Sequence, residues 1–354
     1  MTNSIIRAII NKNVIRGIIM LKLGEERYNY IDFIRVFAIC MVIILHCVSG
    51  YYNDVSSYES LLWKALGYVN ELSRTGVPLF FMISGFLLLR GNIHSLKSFY
   101  KRRFLKICIP FLVYDIFYYI VMHFPKLSVY EFIKELLDTG SAYHLWFIYS
   151  ILFLYLIMPF IKFIIDKCNI NMLVLFFVIV IFQNAIRPFI NTVMQGKIYL
   201  YLSEEFMCGH LGYVILGYII GKYSVSVKLR WTIYISGLVF FILTPMASMY
   251  SASVGTGFIF HGGYSLNHYA EAAAIFLFFK EKLNNSCCYI PMQKLSLATM
   301  DAYFIHVFIL EELKKLEWGI RPYLAITIWI VLTVSLSFLW GIFRIKLLTI
   351  KTKK

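Results

Sequence analysis

The sequence predicts an all-α, polytopic integral membrane protein with about ten transmembrane helices and both termini in the cytoplasm. Three observations carry that prediction. Of the 354 residues, 60% are hydrophobic and 18% aromatic, and the mean hydropathy is +0.72, outside the range of soluble domains. Apolar runs of about twenty residues, the length that crosses a ~30 Å hydrocarbon layer, follow one another closely and leave no room for a sizeable soluble domain. Basic residues gather in every second connection between those runs.

Taken in order, residues 1–29 set Ile5, Ile6, Ile9 and Ile10 among Arg7, Lys12 and Arg16, a basic amphipathic segment suited to lying on a membrane surface. Spans are then expected near 30–50, 76–90, 104–123, 143–163, 171–190, 206–221, 231–250, 267–280, 297–313 and 322–343. The transmembrane domain covers 30–345, and a basic cytoplasmic tail, 346–354, follows it. With the N-terminus inside, the inner segments collect Arg90, Lys97, Lys101, Arg102, Arg103, Lys106, Lys228, Arg230, Lys280, Lys282 and Arg344, whereas the outer ones are sparser in positive charge. The net charge of +15 is therefore topological, and it excludes a nucleic-acid-binding surface. The seven cysteines show no metal-ligand or disulfide spacing, so neither a metal site nor a disulfide framework is expected.

The first span, YIDFIRVFAICMVIILH, carries Asp32, Arg35 and His46. Charge inside a bilayer costs several kcal/mol and marks a candidate functional site. At ~100° per residue, Arg35 and His46 are about three full turns apart, and Asp32 lies within about 60° of both. All three share one stripe, with Arg35 and His46 ~16 Å apart along the axis. Asp32 and Arg35 also read as a simple interfacial ion pair.

Arg102, Arg103 and Lys106 form a cationic cluster at the cytoplasmic start of the third span. Such a cluster anchors topology and touches anionic lipid, and it also suits a phosphorylated ligand. In the second span, Ser84 and Gly85 interrupt a bulky run, either for close helix packing or to leave room for a narrow ligand. His144 opens the fourth span, and His306 sits within the ninth.

Together these segments resemble the acyltransferase-3 family of integral membrane acyltransferases. YIDFIRVFAICMVIILH is similar to its first-helix signature, GVPLFFMISGFLLL to its second-helix motif, and FYKRRFLKICIPF to its basic motif. AYHLWFIYSILFLYLIMPFI and AYFIHVFIL resemble later segments. One departure is that Lys106 stands where the family's spaced pair ends in arginine, which keeps charge but loses bidentate geometry.

The resemblance implies an O-acyltransferase of the plasma membrane. It would move an acyl group, acetyl in the first instance, from cytoplasmic acyl-CoA to a hydroxyl of a sugar or cell-envelope glycan. Acetyl-CoA is then a donor substrate, and no permanently bound cofactor is implied. Arg102, Arg103 and Lys106 would hold the donor's phosphates, and its thin arm would pass Ser84 and Gly85. His46 would act as general base or transient acyl carrier, with Arg35 and Asp32 assisting. His144 and His306 would touch the acceptor or tie helices together. The competing reading is a transporter or flippase for a polar envelope precursor, which would favour matched halves and paired broken helices; no such repeat is visible.

Overall fold

The computed structural model describes residues 27–54, 60–186, 209–253, 265–283, 290–316 and 319–353. Most of the amphipathic N-terminal segment lies outside them. The described residues form twelve α-helices and no strand. These are α1 (Asn29–Tyr52), α2 (Leu61–Arg74), α3 (Gly76–Arg90), α4 (Leu96–His123), α5 (Val129–Asp138), α6 (Trp146–Lys167), α7 (Ile170–Ile181), α8 (Leu211–Lys222), α9 (Val227–Ser253), α10 (Leu266–Leu283), α11 (Ile290–Lys315) and α12 (Pro322–Lys353).

Among the described residues, six helical segments are long and apolar enough to cross a membrane: 29–52, 61–90, 96–123, 143–167, 227–251 and 322–347. Segments 170–186 and 211–222 are apolar but shorter. Helices α10 and α11 are more polar, and their polar residues Asn267, His268, Glu271, Asp301 and His306 turn inward and are buried.

Local chemistry sets several boundaries. Ser60, Ser95, Ser128 and Asn169 accept hydrogen bonds from the backbone N–H groups of Trp63, Ser98, Glu131 and Met172, capping α2, α4, α5 and α7. Two elements correct the sequence-based expectation. The span near 76 is preceded by α2, which meets it at Thr75, so the helical run covers 61–90. The Ser95 cap starts α4 at Leu96, eight residues before the expected span, so Arg102 and Arg103 stand within the helix together with Lys106.

The core is built around α1, which packs against α2, α3, α10, α11 and α12. Helix α3 lies close to α8. A Cβ at Gly85 would run into the Val214 backbone carbonyl, and one at Gly217 would run into that of Met82. The missing side chain at Gly85 is thus taken up by backbone contact between helices. Of the two readings of Gly85, close helix packing is the one this contact supports.

Candidate active site

Three elements carry histidines to one place. His46 comes from the second half of α1, and His306 from α11. His144 lies on a 3₁₀ turn, Tyr143–Leu145, just before α6. A local device fixes that turn. Gly140 takes a φ of +87°, which L side chains rarely adopt, and the Ser141 N–H donates to Asp115 Oδ1 at 2.7 Å. Asp115 is itself fully buried on α4, so the turn is tied to the bundle.

The imidazole rings converge. His46 and His306 have centroids 5.3 Å apart, and His144 and His306 5.0 Å apart. Tyr143 lies 5.2 Å from His46, while Tyr118 and Tyr303 lie 5.2 and 5.5 Å from His144. His144 and His306 are buried, and His46 is half-buried.

The hydrogen bonds distinguish the three. A carbonyl can only accept, so the 2.6 Å contact between His306 Nδ1 and the Tyr303 carbonyl places a proton on Nδ1. In neutral His306, Nε2 therefore keeps its lone pair, and it is buried without a hydrogen-bond partner. Neither ring nitrogen of His144 makes a hydrogen bond of ordinary geometry, with only a loose interaction to the Phe304 backbone. The Tyr303 hydroxyl donates to the His144 carbonyl. Tyr118 donates to the Phe304 carbonyl at 2.8 Å and accepts from the Phe308 N–H at 3.1 Å, which ties α4 to α11 beside the histidines.

The other end of α1 is different. Asp32 is buried, and both carboxylate oxygens are engaged. Oδ1 accepts from Ser296 Oγ at 2.6 Å and from Arg35 Nη1 at 3.3 Å, while Oδ2 accepts from Arg27 Nε at 2.7 Å. Arg35 is thereby held at this end, next to Tyr155. Tyr155 on α6 also interacts with Ser84 and Arg103. Ser84 hydrogen-bonds the Tyr155 phenol, and the charges of Arg35 and Arg103 are near enough to act on it.

The three basic residues of α4 separate. Arg103 is half-buried over the Phe99 ring at 3.9 Å. Arg102 is exposed and donates to Ser98 Oγ at 2.7 and 3.0 Å, and Lys106 is exposed. Among the described residues, the acidic and histidine group tight enough to hold one ion is Glu71, His268 and Glu271, away from the three histidines.

Sequence reasoning named His46, His144 and His306 but not their convergence, since positions 46, 144 and 306 are joined only by packing. It missed Tyr118, Tyr143, Tyr303, Tyr155 and Ser296. The one local hint was the aromatic beside each later histidine, in AYHLW and AYFIH.

An all-helical bundle with membrane-length spans, built around buried imidazoles, defines a class of integral membrane enzyme. The acyltransferase-3 family model, described as an acyltransferase domain, matches residues 28–343, and the chain belongs to that family. Membership supports membrane acyltransferase activity in general. An amino-acid racemase of Enterococcus faecalis is 27% identical over 133 residues, which cover 35% of this chain and 18% of the racemase. The chain thus spans under a fifth of that relative's length. No solved structure matches.

Proposed function

We propose that the protein transfers an acetyl group from cytoplasmic acetyl-CoA to a hydroxyl of a sugar or cell-envelope glycan at the plasma membrane. In this reading the chain crosses ten times with both termini inside, as the distribution of Lys and Arg favours. The observation that carries the proposal is the arrangement along α1. An end bearing Arg35, near Arg103, Tyr155 and Ser84, lies at the start of α1, taken here as its cytoplasmic side, and a buried histidine cluster lies about three turns away.

The chemistry follows from what the transfer needs. A sugar hydroxyl is a weak nucleophile at neutral pH. Neutral His46, the most accessible of the three imidazoles, takes the hydroxyl proton as the oxygen attacks the thioester carbonyl. The carbon–sulfur bond breaks, and the departing CoA sulfur takes the proton back from the imidazolium. No net proton remains on the enzyme. His306, with its tautomer fixed by the Tyr303 carbonyl, keeps a lone pair in the cluster that stabilises the His46 imidazolium or orients the acceptor hydroxyl.

At the donor end, Arg103 and Arg35 bind the phosphates of CoA, and exposed Arg102 contributes less. The testing experiment measures acetyl-CoA binding to the purified protein in detergent, with Arg103→Glu and Arg102→Glu compared. Arg103→Glu is expected to lose about 1.5–3 kcal/mol of donor binding, the worth of a charged hydrogen bond. Arg102→Glu is expected to lose under about 1 kcal/mol. Equal affinity in Arg103→Glu and wild type contradicts the donor assignment, and absence of label transfer from radiolabelled acetyl-CoA to membrane glycan contradicts the reaction.

A further inference from the structure

A second group of buried polar side chains lies on the other helices that flank α1. Glu71 comes from α2, and Asn267, His268 and Glu271 come from the first turns of α10. Their relative exposures are 1%, 2%, 1% and 3%. Two carboxylates this deep need compensating positive charge. Arg74 lies beside Glu71 and donates to Asn70 Oδ1 at 2.9 Å, so one guanidinium is available to offset one carboxylate. The other carboxylate is neutralised either by a proton or by a bound cation.

The hydrogen bonds indicate where that cation belongs. Asn267 Nδ2 donates to Glu71 Oε1 at 2.6 Å and stands 3.1 Å from His268 Nδ1. A donor on both sides of the latter contact would repel, so His268 Nδ1 carries the lone pair that accepts from Asn267 Nδ2. The same nitrogen lies 3.3 Å from Glu71 Oε1 and 3.7 Å from Glu271 Oε2, so an ion seated among them would take over that lone pair in place of the Asn267 donor. Glu71 Oε2 and both oxygens of Glu271 find no donor from the surrounding helices, and the two carboxyl groups face each other closely enough to share a proton. Three acceptor atoms from three side chains therefore converge, all within 4.8 Å of one another.

A single shared proton joins two such atoms and leaves the third facing them. A metal ion joins all three. Bonds of ~2.0–2.2 Å to nitrogen and oxygen set neighbouring ligands roughly 3.2–3.6 Å apart in a tetrahedral site, close to the two separations found here. One imidazole and two carboxylates suit a borderline divalent ion better than magnesium or calcium, which take oxygen alone.

We propose that Glu71, His268 and Glu271 form a binding site for a divalent transition-metal ion of the zinc class, which clamps α2 to α10 inside the bundle. The site is separate from the histidine cluster and uses none of its residues.

The test uses the full-length protein in detergent, stripped with a chelator, equilibrated with zinc sulfate and desalted. Metal content by mass spectrometry is expected at about one zinc per chain, with affinity at least about tenfold weaker in Glu271→Gln and in His268→Ala, since outer-shell changes alone typically cost that much. His306→Ala is expected to retain the zinc. Because the variants put buried positions at risk, X-ray absorption of the zinc-loaded wild type gives an independent readout. One imidazole with oxygen neighbours supports the site. Sulfur, or two or more imidazoles, overturns it. Failure of the wild type to retain zinc also overturns it, as does equal retention by the variants. A protonated-carboxyl infrared band in zinc-treated wild type that disappears in Glu271→Gln would assign the site to a shared proton instead and overturn the proposal.

Discussion

The two ends of α1 bury polar groups in opposite ways. At the Asp32 end, both carboxylate oxygens are engaged by Ser296, Arg35 and Arg27. At the His46 end, the rings of His46, His144 and His306 touch one another and three tyrosines, yet His306 Nε2 is unpartnered and His144 has no well-formed ring hydrogen bond. A buried polar group without a partner costs about 1–3 kcal/mol, so a folded chain keeps such groups where something else requires them. A satisfied node serves the fold. An unsatisfied one, beside a half-buried imidazole, is where the proposed reaction would place its substrate.

That contrast yields different outcomes for substitutions along one helix. The largest expected effect on folding is at the satisfied end. Asp32→Ala leaves Arg27, Arg35 and Ser296 without their shared acceptor and is expected to destabilise by on the order of 3–5 kcal/mol, read as lost thermal stability in detergent. A stable Asp32→Ala protein would break the comparison, because the node would then not be holding the fold. Ser296→Ala removes one hydrogen bond to a carboxylate between α1 and α11, and a loss of about 1.5–3 kcal/mol is expected from the same melting assay. Smallest is Tyr303→Phe, which removes the neutral bond to the His144 carbonyl and should cost about 0.5–1.5 kcal/mol in stability. If Tyr303 acts mainly by holding the histidine turn, turnover in Tyr303→Phe falls while acetyl-CoA affinity stays unchanged.

Helices were the legible part of the sequence because lipid imposes length and apolarity on each one separately. In its described part, each expected window falls on a helix. What was not legible depends on distant neighbours. Helix α2 carries Asn70, Glu71 and Arg74, which depress its apolar signal; Asn70 and Glu71 are buried against Ser49 and Asn267 of other helices, and Arg74 pairs with Asn70. Helix α5 is a short amphipathic segment with no residue fully buried, so no membrane-length run announces it. At the site, helical periodicity put Asp32, Arg35 and His46 on one stripe. It had no means of showing that Asp32 is consumed by Ser296, 264 positions away, or that His46 meets His306. Gly85 shows the same limit: a small residue signals a close approach, and only packing shows that the approaching group is the Val214 backbone.

The most direct test of the account is His46→Gln, which keeps bulk and hydrogen bonding but cannot take a proton at neutral pH. Acetyl transfer and acetyl-CoA binding are measured on the same preparation as its melting temperature. The account predicts turnover lower by about 10²–10⁴-fold, the usual loss on removing a general base, with donor affinity and melting temperature close to wild type. Near-normal turnover in His46→Gln would make His46 a packing residue and contradict the central claim.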